Sequence, residues 1–286
     1  MIKPFSEAWR RRCWLLIAAL VAAGSISRAW FSQAAEIAVM VTLVWGGALC
    51  CLEERLATLR PRPDGASFTL GVVLLVAAQW RQERLLDTQP IMLLLPLLQG
   101  LGLVLLLGPV RHWRRWAEPL LALALLALPR LLQAVVSMEL LSRITARLCQ
   151  GLLLSFGVDA ALEGTLLRVP GGAVSVSGTC GGFLMVAQLV VVGGLFALVF
   201  PLAAGRRRWL AMVAVMAVAP LFAVAANTLR ITLLALINAF SGSPGRWWFD
   251  LLHEGMGSQL FSLLAVLLFA PAYFSLQDHL LARQRR

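Results

Sequence analysis

The chain has 286 residues, of which 60% are hydrophobic and only 14% are charged, and its mean hydropathy is +0.82. This composition excludes an ordinary soluble domain, because apolar runs of such density are stable only in lipid. The net charge of +11 does not indicate nucleic-acid binding, since the arginines form short clusters between apolar runs rather than one basic face. We therefore predict an all-α polytopic membrane protein, organised as a single integral membrane domain over 1–286.

Eight apolar stretches are candidates for membrane-spanning helices, each of which needs about 20 mostly apolar residues. The predicted spans are 13–33, 34–52, 67–80, 90–110, 116–136, 181–203, 209–229 and 252–274. The third is the shortest, and the charged stretch 81–87 extends it toward the interface. The first follows Arg10, Arg11 and Arg12, as a cleavable signal peptide would, but the second apolar run behind it favours a retained anchor.

The basic residues predict the orientation of these spans. With the N-terminus inside, every strong cluster lies on one side of the membrane: Lys3 with Arg10–Arg12, Arg55 with Arg60 and Arg62, Arg111 with Arg114 and Arg115, Arg206–Arg208, and Arg283 with Arg285 and Arg286. Because positive charge is retained on the cytoplasmic side, we expect the basic tails 1–12 and 275–286 to be cytoplasmic.

The segment 137–179 is predicted to form an extracytoplasmic platform. Glu139, Arg143, Arg147 and Gln150 recur at helical spacing among leucines, which is typical of an amphipathic helix on a membrane surface. The stretches 164–169 and 173–176, separated by Pro170-Gly171-Gly172, predict a small hairpin before the sixth span. A substrate strand could dock on its edge; a packed connecting loop is the equal alternative.

This topology sorts the reactive side chains by membrane side. The inner group is Cys13, Cys50, Cys51, His112 and His279, and the outer group is Cys149, Cys180 and His253. His253 is therefore the only imidazole expected to share a side with a thiol. Arg230, at the predicted end of the seventh span, is expected at the same depth, and ionisable groups at membrane depth are more often functional than not.

Each outer residue has a predicted task. Ser177-Gly178-Thr179 supplies a turn and cap before Cys180 in the first turn of a helix, where the N–H groups favour an anionic sulfur. Gly181 and Gly182 remove side chains that would block an approaching peptide.

The seventh and eighth spans carry the remaining predicted roles. Asn227 lies one turn before Arg230 and is expected to hold that guanidinium in position. Asp250 is an N-cap candidate three residues before His253, and Gly257 leaves a bare patch one turn after it.

Cys180 followed by glycine, Asn227-x-x-Arg230 and His253-x-x-x-Gly257, in that order on eight apolar spans, resemble the exosortase and archaeosortase family of membrane cysteine transpeptidases. The likeness covers most of the chain, and its specific residues lie within 180–257, the predicted catalytic core. Gly181 stands where many relatives carry serine.

The resemblance implies an enzyme of the cell inner membrane with its active site on the extracytoplasmic side. Its substrates would be exported proteins that end in a PEP-CTERM-like sorting signal, made of a short motif, a transmembrane helix and an arginine-rich tail. Membrane lipid and a lipid-linked or amine acyl acceptor would be the other partners. No metal-ligand cluster or phosphate loop is evident, so no cofactor is implied.

The expected chemistry is acyl transfer through a Cys180 thioester. Arg230 and helix N–H groups would stabilise the oxyanion, and His253 would protonate the departing amine. Two alternatives stay open at this point. A transporter would need polar residues through several spans, for which Gln99, Gln188 and Pro220 offer little support. A non-catalytic membrane protein would use a structural Cys149–Cys180 disulfide.

Overall fold

The computed structural model describes residues 7–31, 35–56, 59–84, 90–240, 242–253 and 256–284. The chain forms two compact units, Met1–Leu128 and Pro129–Arg286. Most of the described chain is helical, and the strands within it are three short ones in the second unit. Helix is the expected backbone in lipid, because each N–H and C=O group then finds its partner inside the same segment.

The first unit contains helices and no strand in its described part. They are α1 (Glu7–Phe31), α2 (Ala35–Leu56), α3 (Gly65–Arg84), α4 (Leu95–Leu107) and α5 (Ala117–Ala124), with 3-10 turns at Pro90–Leu94, Val110–Trp116 and Leu125–Ala127. Polar side chains pair across this bundle: the indole N–H of Trp14 donates to the carbonyl oxygen of Leu103 at 2.9 Å, and the Gln99 amide donates to Gln82 at 2.8 Å. Gln99 thus has a partner inside the bundle, which favours a packing role over a transport site.

From Leu128 onward the helices are α6 (Leu128–Val135), α7 (Met138–Ser155), α8 (Phe183–Val199), α9 (Arg206–Phe240), α10 (Gly242–His253) and α11 (Met256–Gln284). The longest is α9, with 35 residues and Pro220 inside it. At 1.5 Å per residue it is ~52 Å long, whereas a bilayer core is ~30 Å thick. One end of α9 therefore extends beyond the hydrocarbon, and the prediction that this helix ends at Arg230 is wrong.

A three-stranded antiparallel sheet lies between α7 and α8 in the sequence. Its strands are β1 (Ala161–Glu163), β2 (Leu166–Val169) and β3 (Gly172–Ser175), in the order β1-β2-β3. The pair β2–β3, with Leu166 opposite Ser175, confirms the predicted hairpin, while β1 was not predicted. Gly171 in the turn has φ of 89°, and a Cβ there would lie 2.8 Å from the carbonyl oxygen of Asn238, so both conformation and close packing on α9 require glycine.

The sheet and α7 cover the extended end of α9 and bury it. The fully buried residues of this core include Leu153 of α7, Leu167 of β2, Val176 after β3, and Ile231, Leu234 and Ala235 of α9. Large aliphatic side chains from four segments thus meet over the last turns of α9, and each contributes about 1.5–3 kcal/mol of burial energy. The segment predicted as a platform is therefore packed on α9, as a packed connecting loop would also be, and its role as a substrate platform stays a prediction.

Five helices among the described residues are long and apolar enough to cross a bilayer: Glu7–Phe31, Ala35–Glu53, Val110–Val135, Arg206–Phe240 and Gln259–Arg283. Met92–Leu107 and Phe183–Val199 are apolar but shorter. Every predicted span overlaps a helix of the structure. The third and shortest predicted span, 67–80, lies within α3. The multi-pass membrane class is confirmed, and the count of eight spans is not.

Helix α7 confirms the predicted amphipathic helix and divides into three stripes. An exposed apolar stripe is formed by Leu140, Ile144 and Leu148, an exposed charged stripe by Glu139, Arg143 and Arg147, and a buried stripe by Ser142, Thr145 and Cys149. An apolar stripe beside a charged one is typical of a helix at a membrane surface. The buried stripe lies beside Leu141, Ala146 and Leu153, and its Ser142 faces the turn that carries Cys180.

Candidate active site

Cys180 lies in a short 3-10 turn, Gly178–Gly181, immediately before α8. Its N–H donates to the carbonyl oxygen of Ser177 at 3.1 Å. The chain then passes through Gly182, whose φ is 83°, before α8 begins at Phe183. The predicted turn therefore exists, but Ser177 makes no side-chain cap, and Cys180 precedes the helix instead of lying in its first turn. The first N–H groups of α8 have no partner within that helix.

The contact at the centre of the site joins Cys180 and His253. The Sγ atom of Cys180 lies 3.2 Å from Nε2 of His253, a hydrogen-bond distance for a thiol and an imidazole. Cys180 is buried and His253 is half-buried. The imidazole stacks on Phe249, one turn earlier in α10, with the ring centroids 5.3 Å apart and the planes 14° apart. The aromatic stack fixes the plane of the imidazole that faces the sulfur.

His253 is the last residue of α10, whereas the sequence predicted it at the start of the following span. The candidate N-cap Asp250 lies inside α10, and α11 begins at Met256. Gly257 is buried, and a Cβ there would collide with the carbonyl oxygen of Leu251. Gly257 is thus needed where α11 passes the last turn of α10, and it does not provide an open patch for a substrate.

Arg230 caps the end of α10 that carries His253. Its Nε donates to the carbonyl oxygen of Leu252 at 3.1 Å, and its Nη2 donates to the carbonyl oxygen of His253 at 2.6 Å. The last carbonyls of a helix have no partner within it and form the negative end of its dipole. A planar guanidinium satisfies two of them at once, and hydrogen bonds from a charged donor are about twice as strong as neutral ones. Arg230 is itself only 4% exposed.

Asn227 holds the backbone of Cys180. Its Nδ2 donates to the carbonyl oxygen of Cys180 at 3.0 Å, so the prediction that Asn227 positions Arg230 is wrong. Its Oδ1 is buried and has no hydrogen-bond partner within the described part of the chain. A Cβ at Gly182 would lie 2.9 Å from Cγ of Asn227. The left-handed backbone at Gly182 and the Asn227 amide therefore pack together, and they fix the peptide that follows the thiol.

Gly181 is explained by packing against α7. A Cβ at this position would collide with Oγ of Ser142, which belongs to the buried stripe of α7. The sequence predicted that Gly181 and Gly182 leave open space for a peptide. In the structure they are instead packed against Ser142 and Asn227. Any side chain at position 181 would require Ser142 to move.

Cys149, the other thiol predicted on the outer side, is buried and does not join Cys180. Both cysteines are free, and Sγ of Cys149 donates to the carbonyl oxygen of Thr228 at 3.4 Å. Burial raises the pKa of the Cys149 thiol to about 11. The alternative of a structural Cys149–Cys180 disulfide is therefore wrong.

The remaining cysteines and histidines lie on other elements of the chain. Cys13, Cys50, Cys51 and His112 belong to the first unit, and His279 lies near the end of α11. Within the described ranges, no three His, Cys, Asp or Glu side chains lie together as metal ligands would.

The comparison with protein families identifies the family of this chain. A family model for the transmembrane exosortases matches residues 30–270, which include Cys180, Asn227, Arg230 and His253. The chain belongs to the transmembrane exosortase family. The resemblance predicted from the sequence is confirmed, and this exosortase is a multi-pass membrane protein of the sorting peptidase and transpeptidase class. Comparisons with curated proteins and with solved structures give no match.

Proposed function

We propose that this exosortase is a cysteine protease or transpeptidase that cleaves C-terminal sorting signals through a thioester on Cys180. The observation that carries the proposal is the 3.2 Å contact between Sγ of Cys180 and Nε2 of His253. A thiol and an imidazole at this distance form the nucleophile and base pair of covalent catalysis. The family supplies the substrate class, exported proteins with a sorting helix.

The reaction has two steps, the formation of a thioester and its release. Sγ of Cys180 attacks the carbonyl carbon of the scissile peptide while its proton passes to Nε2 of His253. The C–N bond then breaks, and His253 returns the proton to the departing amine, which leaves a thioester. In the second step His253 takes a proton from an incoming amine or water, which attacks the thioester carbonyl and releases the thiolate. An amine gives transpeptidation, and water gives hydrolysis.

Arg230 acts in this scheme mainly as a positioning residue. Its two hydrogen bonds to the carbonyl oxygens of Leu252 and His253 support this role, because they hold the main chain that carries the imidazole. Because its Nε and Nη2 already donate to these carbonyls, Arg230 has fewer N–H groups left for an oxyanion than the sequence analysis assumed. We assign the oxyanion first to the N–H groups at the start of α8, next to Cys180.

The substrate would approach on the extracytoplasmic side, which the distribution of arginines favours. Strand β3 is an edge of the sheet and leads directly into the turn of Cys180. A peptide that adds to this edge as a further strand would bring its carbonyl groups toward the thiol. The exposed apolar stripe of α7 supports a site at the membrane surface, where a sorting helix would leave the bilayer.

The test is cleavage of a co-expressed exported protein that carries a short motif, a membrane helix and an arginine tail, followed by intact mass. We expect Cys180→Ala and His253→Gln to abolish the mass change while both variants still insert into the membrane. Cys50→Ala, an exposed cysteine of the first unit, is the matched control and should cleave normally. Cleavage by Cys180→Ala at the normal rate would disprove the thioester.

A further inference from the structure

An apolar groove of about 660 Å³ runs between the first half of α9 and α11. Its walls carry small or aliphatic side chains, among them Ala211, Ala214, Ala272 and Leu276. Phe222 and Phe269 close its inner end, with their rings edge to face at 5.6 Å. Cys180 contacts α9 at Asn227, which lies beyond the end of the groove at Phe222. The groove is therefore separate from the candidate active site.

The length of the groove matches one leaflet of a bilayer. It extends along α9 from Arg207 to Phe222, which at 1.5 Å per residue is ~22 Å. Half of a bilayer, headgroups included, is about 20–22 Å thick. A single lipid chain that enters at the membrane surface would thus end against the two phenylalanine rings.

The mouth of the groove is positively charged. Arg207 lines it and is exposed, and it belongs to the basic cluster Arg206–Arg208. The structure gives Arg207 no ion pair within the residues it describes. Arg208 differs, since its Nη2 donates to the carbonyl oxygen of Leu198 at 2.7 Å. One guanidinium is thus held by the protein, and its neighbour stands at the opening of an apolar channel.

We propose that this groove binds one anionic phospholipid, with an acyl chain along α9 and α11 and its phosphate paired with Arg207. A guanidinium recognises phosphate with two parallel hydrogen bonds, and basic residues beside a membrane attract anionic lipid. The apolar walls take the chain, and each buried CH₂ group adds about 0.8 kcal/mol. A peptide helix with a basic end fits less well, because it would bring like charges to Arg207.

Native mass spectrometry of the full chain from neutral detergent tests the proposal. Phosphatidylglycerol and phosphatidylcholine with identical acyl chains are added in equal amounts, and the retained lipid is counted. We expect phosphatidylglycerol to be retained about five-fold better. Arg207→Gln should remove this preference, whereas Arg206→Gln, a neighbouring arginine that does not line the groove, should keep it.

A second pair of variants tests the groove itself. Ala214→Phe fills the channel and should reduce retention of both lipids, whereas Val213→Phe, an exposed position on α9 outside the groove, should leave retention unchanged. Equal retention of the two lipids by the unaltered protein would overturn the proposal. So would equal effects of Arg206→Gln and Arg207→Gln, or of Ala214→Phe and Val213→Phe, because the binding would then be diffuse.

Discussion

The guanidinium of Arg230 donates to the main-chain carbonyl oxygen of His253 at 2.6 Å, so a charge in α9 holds the last residue of α10. The side chain of that same residue reaches the sulfur of Cys180 at 3.2 Å. The two contacts lie on opposite ends of one residue. The orientation of the imidazole therefore depends on how well Arg230 satisfies the end of α10.

Replacement of Arg230 by lysine tests this dependence. A single ammonium cannot reproduce the fork that reaches Leu252 and His253, and a hydrogen bond from a charged group contributes about 1.5–3 kcal/mol. We expect Arg230→Lys to lower kcat for cleavage about 10- to 100-fold, with little change in KM. Alkylation of Cys180 by iodoacetamide, measured by peptide mass, should slow in parallel.

Arg208→Lys is the matched control, because Arg208 also donates to a helix carbonyl, that of Leu198, far along α9 from the site. It should leave cleavage unchanged. An Arg230→Lys enzyme with full kcat would show that a point charge suffices and that the planar fork has no role.

A double-mutant cycle tests the contact between Gly181 and Ser142. Gly181→Ala places a methyl group against Oγ of Ser142 and should lower both the melting temperature and the rate of cleavage. Ser142→Ala removes that oxygen and should change little alone, since the Cβ of Ser142 would be 3.5 Å from the new methyl group. The double variant should recover most of the loss. Additive effects of the two substitutions would mean that the residues do not constrain each other.

Asn227→Leu removes the donor that holds the carbonyl oxygen of Cys180. The loss of a buried hydrogen bond that leaves an unpaired acceptor costs about 1–3 kcal/mol, and we expect a lower melting temperature in detergent together with slower alkylation of Cys180. Asn238→Leu, the same substitution near the turn of the sheet, serves as the control. It should affect stability only. Equal alkylation rates in the two variants would contradict a positioning role for Asn227.

The thiol of Cys149 should remain protonated at pH 8, since burial raises its pKa from 9.0 to about 11. Iodoacetamide at that pH should modify Cys180 and spare Cys149 in the folded protein. The folded state binds this proton more tightly than the unfolded state, so the associated stability is present below pH 9 and is lost as the pH rises through about 11. The fall in melting temperature over this window should be smaller in Cys149→Ala; identical profiles would argue against the raised pKa.

Local sequence features predicted much of this protein correctly. The hairpin β2–β3 was predicted from the strand-forming residues around Pro170-Gly171, and α7 from the spacing of Glu139 and Arg143. Each of these signals is contained within a few neighbouring residues. The extent of α9 did not follow, since its last turns resemble the end of a membrane span. The helix continues past Arg230 because Leu153, Leu167 and Val176 pack with Ile231, Leu234 and Ala235, and the first three residues are distant from α9 in the sequence.

The sequence by itself indicated the membrane surroundings and the family, and it singled out Cys180, Arg230 and His253 as candidates, because apolar run length and residue type are properties of single segments. Only the tertiary structure decided what each residue touches. Arg230 faces a helix end, Asn227 faces the carbonyl of Cys180, and Gly181 faces Ser142. These contacts join segments far apart in the chain, and which polar groups become neighbours depends on how the helices pack.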